Sequence, residues 1–274
     1  VGAFVVYNRK TPAEPGREFR QAFLDHYYPA APAAAPHPLA DAAARAKTFV
    51  GAYRESRWAF THADKFVYMF TRYYTLQATP DGRLHLDGVA YVETSPLVFQ
   101  AVDGQGVLIF HTDASGRPIE GFYDFDPHKV FIRLPWYETR PLHLGILVVC
   151  GLLFLSALPR WSPGAPSEHT PWLMAEAGPL FRWIGALNLA YPVGMFSIGV
   201  TVLIDALPDM SFLAPLFVLA LLIPLALALI MVILAWRGGY WSVARRIHYT
   251  LIALAGLVFA GWLNWWNLLR LWQF

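Results

Sequence analysis

The chain has 274 residues, of which 56% are hydrophobic and only 15% charged. A soluble domain carries about 25% charged residues, so this composition excludes a disordered chain, a nucleic-acid-binding arm and an ordinary soluble enzyme. The net charge of +2 is uninformative, but its distribution is not. Residues 1–140 hold 15 Lys/Arg and 15 Asp/Glu, leaving 6 and 4 for residues 141–274. A polar half precedes an oily one.

In chain order, Gly2–Asn8 reads as a short β run, and Pro12, Pro15 and Gly16 break it. Glu18–Tyr28 follows as an amphipathic helix with Phe19, Phe23 and Leu24 on one face. Residues 31–48 read as a linker, Pro/Ala-rich to Pro38, with a short helix over Leu39–Phe49. Strands are then expected at Gly51–Arg54, Lys65–Leu76, Arg83–Leu86, Ala90–Glu93, Leu97–Ala101, Val107–His111, Pro118–Tyr123 and Lys129–Leu134. Asp81-Gly82, Asp87-Gly88, Asp103-Gly104 and Ser115-Gly116 mark turns between them. Residues 49–138 therefore form a small antiparallel sheet or barrel.

The oily half offers four runs for membrane spans, at about 142–158, 183–204, 212–236 and 249–269. The expected class is an α+β membrane protein, a β-domain followed by a four-helix transmembrane bundle. Asp205–Ser211 carries two aspartates and no Lys or Arg, whereas the next loop carries Arg237, Arg245 and Arg246. Positive loops stay in the cytoplasm, which puts residues 1–140 and Phe274 outside. No Asp, Glu, Lys or Arg sits at mid-span, so a pump or transporter lacks its ionisable group. Asn188, Asn264 and Asn267 suit helix-to-helix hydrogen bonds.

The chemistry-bearing residues form no motif. His26, His37, His62, His85, His111 and His128 are scattered without metal-ligand spacing. His143-Leu144-Gly145 leads into the first span, and Asp103–Gly106 is a hairpin turn rather than a phosphate cradle. Asp64 with Glu93, or Asp124 with Asp126, are possible acid pairs that nothing in the sequence brings together. The only cysteine, Cys150, lies in an apolar run. No catalytic, cofactor-binding or metal-binding residue is assigned, and no cofactor is expected.

Several stretches together resemble the C-terminal part of membrane-anchored serine hydrolases of the β-lactamase and penicillin-binding-protein-related superfamily. Val1–Asn8 (VGAFVVYN) and Phe19–Pro29 (FRQAFLDHYYP) resemble the last strand and helix of its catalytic domain. Phe49–Arg54 (FVGAYR), Asp81–Leu86 (DGRLHL), Tyr91–Phe99 (YVETSPLVF) and Val107–Gly116 (VLIFHTDASG) resemble the β-domain that follows it. Pro135–Glu138 (PWYE) and Arg246–Leu269 resemble the junction and last span of anchored members.

The resemblance implies acyl transfer through a serine, using S-x-x-K, Y-x-N and H-x-G or K-T-G motifs. All three motifs would lie upstream of Val1, and Tyr7-Asn8 is not the Y-x-N motif. Residues 1–30 are then the remnant of a catalytic domain that belongs to the same polypeptide. The implied partners are that domain and the lipid bilayer of a bacterial cytoplasmic membrane, with no nucleic acid. The substrate is left open. The alternative is a self-sufficient membrane protein whose β-domain binds a lipid or other apolar ligand in an aromatic interior.

Overall fold

The computed structural model describes residues 14–29, 35–62, 64–103, 106–124, 128–159, 172–175, 177–203 and 214–269, with Phe4 and Val6. The expected strand Gly2–Asn8 otherwise lies outside the described residues. The first helix, α1, spans Glu14–Tyr27. Phe19, Phe23 and Tyr27 stack along it at ring separations of 6.3 and 4.8 Å. Phe19, Leu24 and Tyr27 nevertheless stay exposed.

Eight strands follow: β1 Gly51–Glu55, β2 Tyr73–Ala78, β3 Leu84–Leu86, β4 Val89–Ser95, β5 Val98–Ala101, β6 Val107–Thr112, β7 Pro118–Tyr123 and β8 Val130–Arg133. Each pairs antiparallel with the next, and β1 pairs with β8, closing a barrel with no free edge. The turn dipeptides explain the meander. Asp87 and Gly88 take φ of 50° and 80°, the left-handed pair that a tight hairpin between β3 and β4 requires.

Period-two alternation sends Tyr53, Leu76, Leu84, Leu86, Phe99, Leu108, Phe110 and Phe131 into one buried core. The second helix, α2 (Ala42–Phe49), plugs one mouth by adding Ala46 and Phe49 to it. It lies within Leu39–Phe49, where a short helix was expected at the end of the segment read as a linker. Phe49 packs against Phe99 and Phe110 at 4.9 and 4.8 Å. Gly82 shows how close the plug sits: with φ of +84°, a Cβ there would lie 2.7 Å from the Ala43 nitrogen. The plug is pinned by Arg45, whose Nε and Nη2 donate to the fully buried Glu93 carboxylate at 2.7 and 2.6 Å. The Leu97 amide donates to the same carboxylate at 2.9 Å.

The expected strand Lys65–Leu76 is corrected. Asp64–Thr71 is a helix, α3, and only Tyr73–Ala78 joins the sheet. Alternating aromatics suggested a strand, yet Phe66, Met69 and Tyr73 also repeat at helical spacing. That second pattern wins because Met69 and Phe66 pack into the core of the oily half.

A single 3-10 turn, Trp136–Glu138, joins β8 to α4 (Arg140–Ala157). Then come α5 (Trp172–Ala175), α6 (Ala177–Leu203), α7 (Ala214–Gly238) and α8 (Val243–Trp265). Among the described residues, three helices are long and apolar enough to cross a membrane: Arg140–Ala157, Val218–Gly238 and Val243–Trp265. The expected second span corresponds to α6, which contains Pro192 and begins at Ala177 rather than 183. The expected four-helix transmembrane bundle is thus not confirmed; three helices have the length and apolarity that spans require.

Helices α4 and α8 run antiparallel. His143 faces Trp266 at one end, and Ser156 meets His248 at 2.9 Å at the other. Phe154, Phe181, Ile184, Ala228, Met231, Ile252 and Leu263 fill the core between helices.

Candidate functional site

A crevice lies where the barrel meets the oily helices. It has a volume of about 220 Å³ and is lined by Arg54, Lys65, Glu138, Tyr73, Trp265 and Trp266 among others. Each element supplies a part. Strand β1 turns Tyr53 inward and therefore Arg54 outward. The first turn of α3 places Lys65, the 3-10 turn places Glu138, and the end of α8 brings the paired tryptophans.

Lys65 Nζ donates to the Trp265 carbonyl at 2.6 Å and sits 4.4 Å from that residue's ring centroid. The Trp266 ring lies 5.6 Å away. Burial pushes the Lys65 ammonium down from its ordinary pKa, with Glu138 opposing and Arg54 adding to the shift. The Arg54 guanidinium lies over Trp58 and Phe60 at 5.3 and 5.5 Å. Among the described residues its carboxylate neighbour is Glu138, 3.6 Å from Nε, an ion pair too long for a hydrogen bond. Arg54 Nε and Nη1 are buried with no hydrogen-bond partner among the described residues.

Arg140 stands at the same junction. Its guanidinium covers Tyr73 at 4.2 Å, and its Nη2 donates to the Tyr73 carbonyl at 3.4 Å. Asn267 tightens the junction from the other side. It adopts φ of 59°, just past α8, and its amide donates to the carbonyls of Phe60 and His62 at 2.9 and 3.3 Å. These bonds are barrel-to-helix contacts, not the helix-to-helix bonds expected of it. Asn188 instead donates to Ile184 on its own helix at 2.8 Å, and Asn264 is exposed.

A second, more open crevice of about 400 Å³ is lined by Glu55, Arg57, Arg72, Tyr68, His128 and Lys129. Arg72 Nη1 and the Tyr74 hydroxyl both donate to Glu55, at 2.9 and 2.6 Å. That carboxylate is committed to neighbours within the fold.

The acid pairs considered from the sequence are not assembled. Glu93 is inside the barrel with Arg45, whereas Asp64 opens α3 outside it. Asp124 accepts from the Val107 amide at 2.9 Å, and Asp126 lies outside the described residues. His111 pairs across the sheet with Glu120 at 2.9 Å. His143 is buried at the head of α4 and accepts from Trp266 Nε1 at 3.3 Å. His26 lies on α1, and His62 contributes its carbonyl to Asn267. Cys150 is buried. Among the described residues, no three His, Cys, Asp or Glu side chains gather as a metal site.

The sequence reading missed Arg54, Lys65 and Glu138 altogether. The available signal was the stretch Ser56–Asp64, which separates two expected strands without a turn dipeptide and carries Trp58 and Phe60.

The chain matches no protein-family model, no curated protein and no solved structure.

Proposed function

We propose that the chain is the β-domain and membrane anchor of an extracytoplasmic serine hydrolase whose catalytic domain precedes it in the same polypeptide. The observation that carries this reading is α1. Its apolar stripe of Phe19, Leu24 and Tyr27 is exposed. An amphipathic helix is stable when that face is covered. The resemblance of Phe19–Pro29 to a hydrolase's C-terminal helix supplies the missing cover, namely the catalytic domain's own core. Four spans, α4, α6, α7 and α8, cross the bacterial cytoplasmic membrane. Arg237, Arg245 and Arg246 lie inside, and the barrel lies outside.

In this reading the barrel is a spacer of fixed orientation. Lys65 and Asn267 tie it to the end of α8, so the catalytic domain is presented at a set height and angle above the bilayer. A ligand inside the barrel, the second reading, would have to displace Tyr53, Phe99 and Phe110, which are fully buried.

The test is covalent labelling. The full polypeptide encoded by the gene is treated with a fluorophosphonate and with a labelled penicillin, beside residues 1–274 alone. The expected result is one labelled serine, in an S-x-x-K motif upstream of Val1, and none within residues 1–274. A full reading frame without that motif, or labelling inside residues 1–274, would sink the proposal.

A further inference from the structure

We infer that the crevice between the barrel and the membrane helices binds a phosphate group, held by Arg54 and Lys65 and supplied by the headgroup of an anionic phospholipid. The inference rests on the membrane-anchor reading for the source of the phosphate, not for the anion site itself.

The crevice is short of negative charge. It contains two cations, Arg54 and Lys65, against one carboxylate, Glu138. Arginine does not deprotonate in proteins, so burial cannot relieve its charge. Two of its buried nitrogens lack acceptors, and unpaired buried donors are costly. Lys65 has spent one donor on Trp265 and keeps two more. A phosphate offers several acceptor oxygens and the charge to match, and arginine's fork suits it. The aromatic rings do not compete for the role of ligand-binding cage. Those of Trp58, Phe60, Trp265 and Trp266 are already covered by the chain's own cations.

Position favours a lipid as the source. Trp136, 74% exposed, and Tyr137 stand beside Glu138 at the head of α4, and the exposed Trp265 ends α8. Such rings settle at headgroup level. Below them, Leu144, Val148, Leu152 and Leu155 form one exposed stripe along α4, a surface that suits acyl chains. The crevice therefore opens where phosphates of the bilayer lie.

The experiment uses the full chain in detergent, with binding read by native mass spectrometry and by titration. The probes are short-chain phosphatidylglycerol, a diacylglycerol of the same chain length, and inorganic phosphate. Phosphatidylglycerol is expected to bind over diacylglycerol. Arg54→Gln should weaken it about ten-fold, the worth of roughly one charge-assisted hydrogen bond. Glu138→Gln, which removes the competing carboxylate, should tighten it. That gain separates a binding role from a folding defect, since misfolding does not improve affinity.

Equal binding of phosphatidylglycerol and diacylglycerol without any binding of inorganic phosphate, or no response to either variant, overturns the site. Inorganic phosphate bound with the same variant pattern, and no lipid preference, overturns the lipid source and assigns the crevice to a soluble phosphate. Extraction of the chain from membranes by alkaline carbonate would overturn the anchor reading separately, leaving the detergent result unaffected.

Discussion

Gly185 on α6 lies directly against the carbonyl oxygen of Phe154 on α4: a Cβ at that position would stand 2.6 Å from the oxygen and 3.1 Å from the Ala157 Cβ. Backbone contact at this distance is available only to glycine, and membrane helices use small residues to approach so closely. Gly185→Ala should force the two helices apart and cost about 1–3 kcal/mol. Gly151→Ala is the matched control, because nothing lies within 4 Å of a Cβ there. Thermal melting in detergent, followed by near-UV circular dichroism, should show a lower midpoint for the first variant alone.

Arg45 and Glu93 set the stability of the barrel's plug. Glu93→Gln leaves the half-buried Arg45 guanidinium facing a fully buried neutral amide and should cost about 2–3 kcal/mol. The paired replacement Arg45→Met with Glu93→Leu should recover most of that loss, because neither charge is then left alone. Urea unfolding followed by tyrosine fluorescence measures both. A double variant as unstable as the sum of its parts would contradict the pairing.

The barrel should fail at high pH before the helices do. Burial pushes the Tyr53 hydroxyl up to about 12, and Tyr74 and Tyr123 are raised further by the same cause. A phenol with a raised folded-state pKa favours the folded chain fully below its unfolded pKa of about 10. That contribution is lost as pH rises toward the folded value. For Tyr53 the window is pH 10 to 12, worth about 3 kcal/mol across it. Tyr53→Phe loses the bond from its hydroxyl to the Phe49 carbonyl, which costs about 1 kcal/mol at neutral pH. It should flatten the alkaline fall, which a series of melts from pH 8 to 12 would reveal.

Asn267→Gly keeps the left-handed backbone and deletes the two bonds to Phe60 and His62. The loss should be about 1–2 kcal/mol, confined to docking. Hydrogen exchange at residues 60–62 should accelerate while the melting of the helices stays where it was. Slower or unchanged exchange would mean that the segment is held by something else.

The strands were legible because short turns are local. Asp87-Gly88 carries its own φ requirement, and the alternation of Phe99 with Gln100, or of Leu108 with Ile109, follows from the pleat. The long apolar helices were legible for the same reason, since one residue after another reports the solvent. Lys65–Leu76 was not. Its aromatics satisfy both periods, and the choice is made by Trp262 and Trp266, about 200 residues away, which pack on Phe66 at 5.6 and 6.0 Å. The Arg54 crevice was hidden likewise, because it is assembled from β1, α3, the 3-10 turn and α8.

The meeting of the first and last strands has a mechanical meaning. Strand β1 is entered from α2 and β8 leaves for α4, and because the two are antiparallel, Gly51 and Arg133 lie at the same end of their seam. Tension applied to the two chain ends of the barrel would therefore pull both strands from one end, opening hydrogen bonds one at a time rather than shearing them together. Arg133 sits at that end and acts as a clasp. Its Nη1 donates to the Thr48 carbonyl and its Nη2 to that of Val50, both at 2.9 Å. A pull on the two ends of the barrel would thus load the Arg133 side chain together with the first backbone bonds of the β1–β8 seam.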